Sequence, residues 1–337
     1  MPENLTPRQM VKGLVQGVAP PRPLFLPIVF SHAARIENLS LRAFLTNPTK
    51  ISNSLRQVRA HLRSDGITCY FDPFLEAEAL GGVVQWGAEG QPASLRWPRQ
   101  AAQGELPGGL RSAEEAVTSG RVNVAAEVVR RLKPMVRDDC LLTVGITGVF
   151  TLAAQLTQVE PRDELRPQDI SPDAIDLAAA AIAPIAKAFV EAGANVVFIR
   201  EEVLPTLAAE DAEEWASRLG ATINIIRFYE ALPVVLLTCG RSVAASSDVI
   251  AKQAWDCVIC PVLDGAGSSA LGGLAVLGPA RLGIALPPKA FEPGGPGPDE
   301  SIRSVVSRLR PAIVTTTGDV SATAEIERLK RLWEDIR

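Results

Sequence analysis

The sequence is poor in cysteine, histidine and aromatic side chains, and each shortage narrows what the chain can be. Five cysteines among 337 residues, an odd number at irregular spacing, do not make a disulfide framework and fit a reducing compartment. Lysine and arginine total 34 against 38 acidic residues, with no basic block, so neither nucleic acid nor an anionic membrane surface is expected as a partner. Apolar stretches are broken by Asp, Glu or Pro before reaching the roughly eighteen residues a membrane span needs. The N-terminus lacks a basic-then-apolar signal pattern, and the expected location is the cytoplasm. Aromatics make up 5% of the chain, which points to an aliphatic core of the kind parallel sheets prefer. No internal repeat and no glycine-rich phosphate fingerprint is present.

What is there is a series of short apolar, β-branched runs alternating with helical patterns. Eight strands are expected: 24–30, 67–71, 141–147, 195–200, the run from Leu232 to Gly240, 257–262, 282–286 and 312–316. Runs of this length closed by turn signals suit strands buried on both faces. Thr6-Pro7 with Gln9 reads as a capping box opening an N-terminal helix, and Asn47-Pro48 opens a second one. Other helices are expected at 122–132, 244–255 and after Ser171, the last with Pro184 inside it and Gly193 at its end. Residues 83–86 and 93–97 read as a hairpin, with a Gly-Ala-Glu-Gly turn between them. The fold class is therefore α/β, a (β/α)8 TIM barrel with an N-terminal helix and a β-hairpin insertion after strand two; a doubly wound sheet is the alternative. One domain, 1–337, is expected, with 1–20 as a helical extension and 82–110 as the insertion.

In such barrels ligands gather at the carboxyl ends of the strands. The residues there are His32 and Arg35, Asp72, Gln155, Glu201 with Glu202, Cys239, Cys260 with Asp264, and the stretch from Thr317 to Asp319. A carboxylate-rich mouth with an arginine and a thiol suits a polar small molecule. Asp72 can hold a cation or merely cap the following turn. Arg35 can clamp a substrate carboxylate or form a structural ion pair. Glu201 and Glu202 can equally begin a helix, where acidic residues favour the dipole. Cys257 and Cys260 lack a second pair, so they are a weak zinc motif; the alternative metal set is Cys239, Cys260 and His32.

Taken together, Arg22 to Leu24, the run from Asp72 to Gly81, the run from Gly148 to Leu156, Glu191 to Asn195, and Leu237 to Gly240 resemble the uroporphyrinogen decarboxylase superfamily. Within it the likeness is to the cobalamin-dependent methyltransferase branch, over almost the whole chain. The resemblance implies a (β/α)8 barrel, in agreement with the strand count. The decarboxylases' aspartate that holds pyrrole nitrogens matches Asp72, and the second arginine of their N-terminal motif matches Arg35. Their tyrosine falls at Gln155, their serine at Glu202 and their C-terminal histidine near Gly318. Relatives on the methyltransferase branch hold zinc through His-x-Cys and a later Cys; those positions are Leu237, Cys239 and one near Gly318.

The expected function is thus methyl transfer between a small-molecule substrate and a corrinoid, with methyl-cobalamin on a partner protein as co-substrate. No tightly bound cofactor and no complete zinc site is expected. Asp72, Glu76, Glu201 and Cys239 are the candidate catalytic residues, and His32, Arg35, Glu78, Gln155 and Glu202 the candidate substrate contacts. A homodimer is allowed. The alternatives are a cofactor-independent decarboxylase of the uroporphyrinogen decarboxylase type and a non-catalytic barrel that binds a tetrapyrrole or corrinoid.

Overall fold

The computed structural model describes residues 5–87, 93–99, 102–160, 162, 165–262, 271–295 and 300–336. Along the chain the elements are α1 (Pro7–Val15), β1 (Leu24–Phe25), α2 (Ser31–Ile36), α3 (Leu41–Leu45), α4 (Pro48–Leu62), β2 (Gly66–Tyr70) and α5 (Leu75–Ala79). Next come β3 (Val83–Gln85), β4 (Ser94–Arg96), α6 (Ala113–Ala116), α7 (Val122–Leu132), β5 (Leu141–Thr147), α8 (Val149–Thr157), α9 (Pro172–Ala192) and β6 (Val196–Glu201). The last are α10 (Ala209–Phe228), β7 (Leu232–Leu237), α11 (Gly240–Ala251), β8 (Cys257–Pro261), β9 (Leu282–Leu286), α12 (Glu300–Leu309), β10 (Ile313–Thr316) and α13 (Ile326–Ile336).

Eight parallel strands pair in the order β1-β10-β9-β8-β7-β6-β5-β2, and the helices surround them as a (β/α)8 barrel. Strands β3 and β4 form the separate antiparallel hairpin after strand two. The expected Gly-Ala-Glu-Gly turn lies partly outside the described residues. Helix α1 starts with the capping box, Thr6 accepting from the Gln9 N–H while the Gln9 side chain accepts from the Thr6 N–H. Helix α9 contains Pro184 and ends at Gly193, whose φ of 119° is one that a side chain would strain. Helix α11 begins four residues earlier than the pattern suggested, directly after Cys239. It ends at Ala251, where the Trp255 indole turns back to the Ile250 carbonyl.

The first strand is shorter than expected, with ladder pairing only at Leu24 and Phe25. Pro27 has no N–H to give, so the rest of the extended run finds other partners: the Ile28 N–H donates to the Thr316 hydroxyl, and the Phe30 N–H to Asp319. The seam between β1 and β2 is likewise closed without a ladder. Buried Asp65 accepts the Phe25 N–H at 2.9 Å and both Arg22 nitrogens at 2.7 and 2.8 Å, while its own N–H donates to the Phe25 carbonyl. Thr68 adds a bond to the Pro27 carbonyl. At Gly66 a Cβ would lie 2.7 Å from the Leu26 side chain and 3.0 Å from the Leu141 carbonyl, so glycine suits the tight packing at this point.

Side chains therefore complete the barrel where backbone pairing stops. Asp65→Ala leaves a buried N–H and a guanidinium without their acceptor, and should cost about 2–4 kcal/mol. Urea unfolding measures this, and an unchanged midpoint would contradict the role given to the seam.

Candidate active site at the carboxyl ends of the strands

Residues after β2 set one side of the mouth. Asp72 accepts the Phe74 N–H at 2.8 Å, an Asx-type turn that leads into the short helix α5 and presents Glu76 and Glu78. The other Asp72 oxygen is taken by Arg121 Nη1 in a buried ion pair. Arg121 Nε also holds Glu78 at 2.8 Å, and its guanidinium lies over the Trp86 ring, 5.1 Å from the centroid. Gly120, at a φ of 57°, brings the backbone against Glu78 so that the Arg121 N–H reaches the same carboxylate. Burial alone would lower the Arg121 pKa, but Asp72, Tyr70 and Glu78 raise it above its ordinary value. Asp72 thus does hold a cation, supplied by the protein itself, and caps a turn as well.

Strand β6 sets the other side. Arg200 and Glu201 are neighbours on a strand and so point to opposite faces. Arg200 faces the axis: it pairs in register with Thr147, lies 4.6 Å from the centroid of the Phe71 ring, and bonds Glu202 at 3.0 Å. Gly145 leaves the space that Phe71 fills. The Thr147 hydroxyl donates to Glu76 at 2.6 Å. Asp319, after β10, accepts the N–H groups of Phe30 and Ser31, and burial pushes its pKa up to about 6 against those hydrogen bonds and the weaker pull of Arg200.

Glu201 faces the helices. Its fully buried carboxyl accepts from the N–H groups of Phe150 and Thr151, the Thr151 hydroxyl and the Trp215 indole. It sits where a Cβ on Gly148 would collide with it, at the start of α8. The Thr151 hydroxyl in turn accepts the N–H groups of Glu202 and Val203. Glu201 therefore ties the exit of β6 to the N-terminus of α8, as the helix-dipole alternative anticipated in kind though at a different helix.

The remaining expected site residues are placed as follows. Gln155 donates to the Pro73 carbonyl at 2.9 Å, beside Asp72, and its backbone carbonyl accepts the Trp97 indole; Trp86 and Trp97 of the hairpin thus buttress Arg121 and Gln155. His32 lies on α2, its pKa lowered by burial and by Arg35. Arg35 is exposed and donates to the Ala322 carbonyl. The Cys239 thiol points at the Glu201 carbonyl, and burial with Glu201 pushes its pKa up to about 12. Cys260 is buried in β8, and Asp264 lies outside the described residues. Asp72, Glu76, Glu78 and Gln155 come together, with Glu202 opposite on Arg200; Glu201 and Cys239 lie together apart from that group, and Arg35 is apart from both. Sequence reasoning missed Arg121 and Arg200, the two buried cations among the described residues. Strand parity says that one of Arg200 and Glu201 faces the axis but not which, and nothing local marks Arg121.

Buried polar atoms left without a partner include Glu76 Oε1, Arg121 Nη2, Gln155 Oε1 and His32 Nδ1, all on residues at this end of the barrel. Such atoms mark where a ligand's groups can complete the bonding. Zinc does not fit the positions the resemblance assigns to it. Leu237 is buried and apolar and Gly318 offers no side-chain donor, so Cys239 alone of the three has a ligand side chain, whereas zinc needs several donors. Among the described residues no three His, Cys, Asp or Glu side chains gather as a ligand group, so Cys239, Cys260 and His32 do not form one.

The model of the family described as Uroporphyrinogen decarboxylase (URO-D) matches residues 6–259. Methylcobamide:CoM methyltransferase MtaA of Methanosarcina barkeri is 25% identical over 183 residues, 51% of this chain and 50% of that protein. The enzyme of the same description from Methanosarcina barkeri strain Fusaro / DSM 804 matches to the same extent. The chain spans about half the length of the curated relatives it matches. A solved methyltransferase from Methanosarcina mazei superposes with a TM-score of 0.75 over 98% of both chains at 15% identity, and so shares the fold.

The buried Glu201 carboxyl makes stability pH-dependent. Burial raises its pKa from 4.5 to about 7 against the pull of its hydrogen bonds, so the folded state holds the proton more tightly than the unfolded chain. The associated stabilisation is full below the unfolded value and is lost as pH rises through the folded one; Asp319 acts in the same direction. Unfolding free energy should fall by roughly 3 kcal/mol on this account between about pH 4.5 and about pH 8. Glu201→Gln should flatten that slope in denaturant titrations, and an unchanged slope would contradict the assignment.

Proposed function

The chain belongs to the uroporphyrinogen decarboxylase family, and from that premise we propose that it is an enzyme moving a methyl group between a small-molecule substrate and the corrinoid of a separate protein. The family's enzymes include methyltransferases, and two curated relatives carry that activity in their names. The observation that carries the reading within the family is the state of Asp72. A porphyrinogen decarboxylase needs this carboxylate within reach of pyrrole N–H groups, yet here its side chain is buried, with one oxygen bonded by Arg121 and the other by the Phe74 N–H. Asp72 serves instead to fix Arg121, whose Nη2 remains available for an acceptor on the substrate.

Glu76, Glu78, Gln155 and Glu202 shape the rest of the substrate site, with His32 and Arg35 at its rim. Cys239 and Glu201 support it from behind: Glu201 fixes the junction of β6 and α8, and the Cys239 thiol, held protonated, is not a nucleophile at neutral pH. The residues present do not provide for a zinc-activated thiol, so the substrate side is served by this chain's own acids and arginines.

Absorbance spectroscopy tests the proposal. Free cob(I)alamin mixed with the protein and a panel of methyl donors should convert to methylcobalamin in a protein-dependent way, or methylcobalamin should be consumed by an acceptor. Uroporphyrinogen should be returned unchanged. Loss of its acetate carboxyls as carbon dioxide, or tight corrinoid or tetrapyrrole binding with no turnover, would overturn the reading.

A further inference from the structure

The two buried arginines of the mouth are held differently. Arg121 is locked between Asp72 and Glu78, whose side chains are 4% and 24% exposed. Arg200 makes one ion pair among the described residues, Nη1 to Glu202 Oε1 at 3.0 Å, and rests on the Phe71 ring. That pair is closed at one end and open at the other: the Arg200 side chain is 4% exposed and the Glu202 side chain 42%. The two other carboxylates within electrostatic reach of Arg200 have donors of their own. Glu76 Oε2 accepts the Thr147 hydroxyl, and Asp319 accepts the Phe30 and Ser31 N–H groups. The Glu202 backbone is fixed, its N–H donating to the Thr151 hydroxyl at 2.8 Å, so its side chain can turn away without moving the strand. An ion pair with one partner largely in water contributes little, because the solvent screens it and a long side chain gives up its freedom to hold one geometry.

We propose that Arg200 anchors a carboxylate of the substrate, and that Glu202 holds its place until the ligand arrives and then turns out to solvent. The inference takes its site from the methyl-transfer reading, on which it rests, and names the substrate class: small methyl donors or acceptors that carry a carboxylate. Charge balance favours such an exchange. The mouth already holds Asp72, Glu76, Glu78, Glu202 and Asp319, so an added anion would be repelled, whereas one that replaces Glu202 leaves the charge around the guanidinium unchanged. A planar guanidinium offers a carboxylate two parallel N–H···O bonds, a fit that an ammonium or a neutral amide does not match. Phe71 lies against the guanidinium, and Gly145 leaves the space for that ring. The anchor stands on a strand paired on both sides, so the ligand meets a cation already in position.

Ligand-observed NMR titration of the whole protein with propionate, propionamide and propylammonium, chains of similar shape and different charge, tests this. Propionate should bind about tenfold more tightly than the amide. Glu202→Gln should tighten propionate binding by about 3–10-fold, since a competing anion is removed, and Arg200→Gln should abolish it. Glu202 is exposed, so its variant decides the matter even where Arg200→Gln fails to fold. No saturable binding of propionate to wild type or Glu202→Gln, no gain in Glu202→Gln, or tighter binding of propylammonium overturns the proposal. The methyl-transfer reading fails separately. Propionate bound as described by a protein that moves no methyl group to or from cobalamin supports the anchor and contradicts that reading, whereas methyl transfer that gains nothing from a carboxylate on the substrate supports the reading and overturns the anchor.

Discussion

The mouth of this barrel depends on one buried guanidinium shared by two carboxylates. Arg121 reaches Asp72 and Glu78 at once while stacked on Trp86. Two carboxylates so close would repel and resist burial on their own; the cation between them makes both tolerable. The consequences spread outward. Asp72 is fixed and caps the turn into α5, α5 places Glu76 under Thr147, and the hairpin insertion is anchored because its Trp86 covers the guanidinium. The same pair holds the Asp72 carboxylate in the interior, against the Arg121 guanidinium.

A second support lies behind the sheet. Glu201 and the Thr151 hydroxyl knit the end of β6 to the first turn of α8 through hydrogen bonds that satisfy nearly every local donor. That junction holds Arg200 on the axis side of the strand, since neighbouring residues must face opposite ways. The division of labour is one of parity: one residue of the dipeptide builds the scaffold and the other enters the site.

Much of this was legible beforehand. All eight barrel strands follow from short aliphatic runs, and the hairpin, the capping box and Gly193 from local turn chemistry. The shortness of β1 follows from Pro27, which the run of apolar residues concealed. The site was read less well, for a physical reason. A strand buried on both faces shows no polar alternation, so the run from Val196 to Glu201 does not say whether Arg200 or Glu201 faces the axis. Arg121 is tied to Asp72 across 49 residues of chain, and no local pattern announces a long-range ion pair.

The central claim is that Asp72 and Arg121 act as a single unit. A double-mutant cycle in urea unfolding, with Asp72→Asn, Arg121→Gln and the double variant, measures it directly. The account predicts that the two single losses overlap, with a coupling energy of about 1–3 kcal/mol. Losses that add to within about 0.3 kcal/mol would show the two side chains to be independent and would contradict the account.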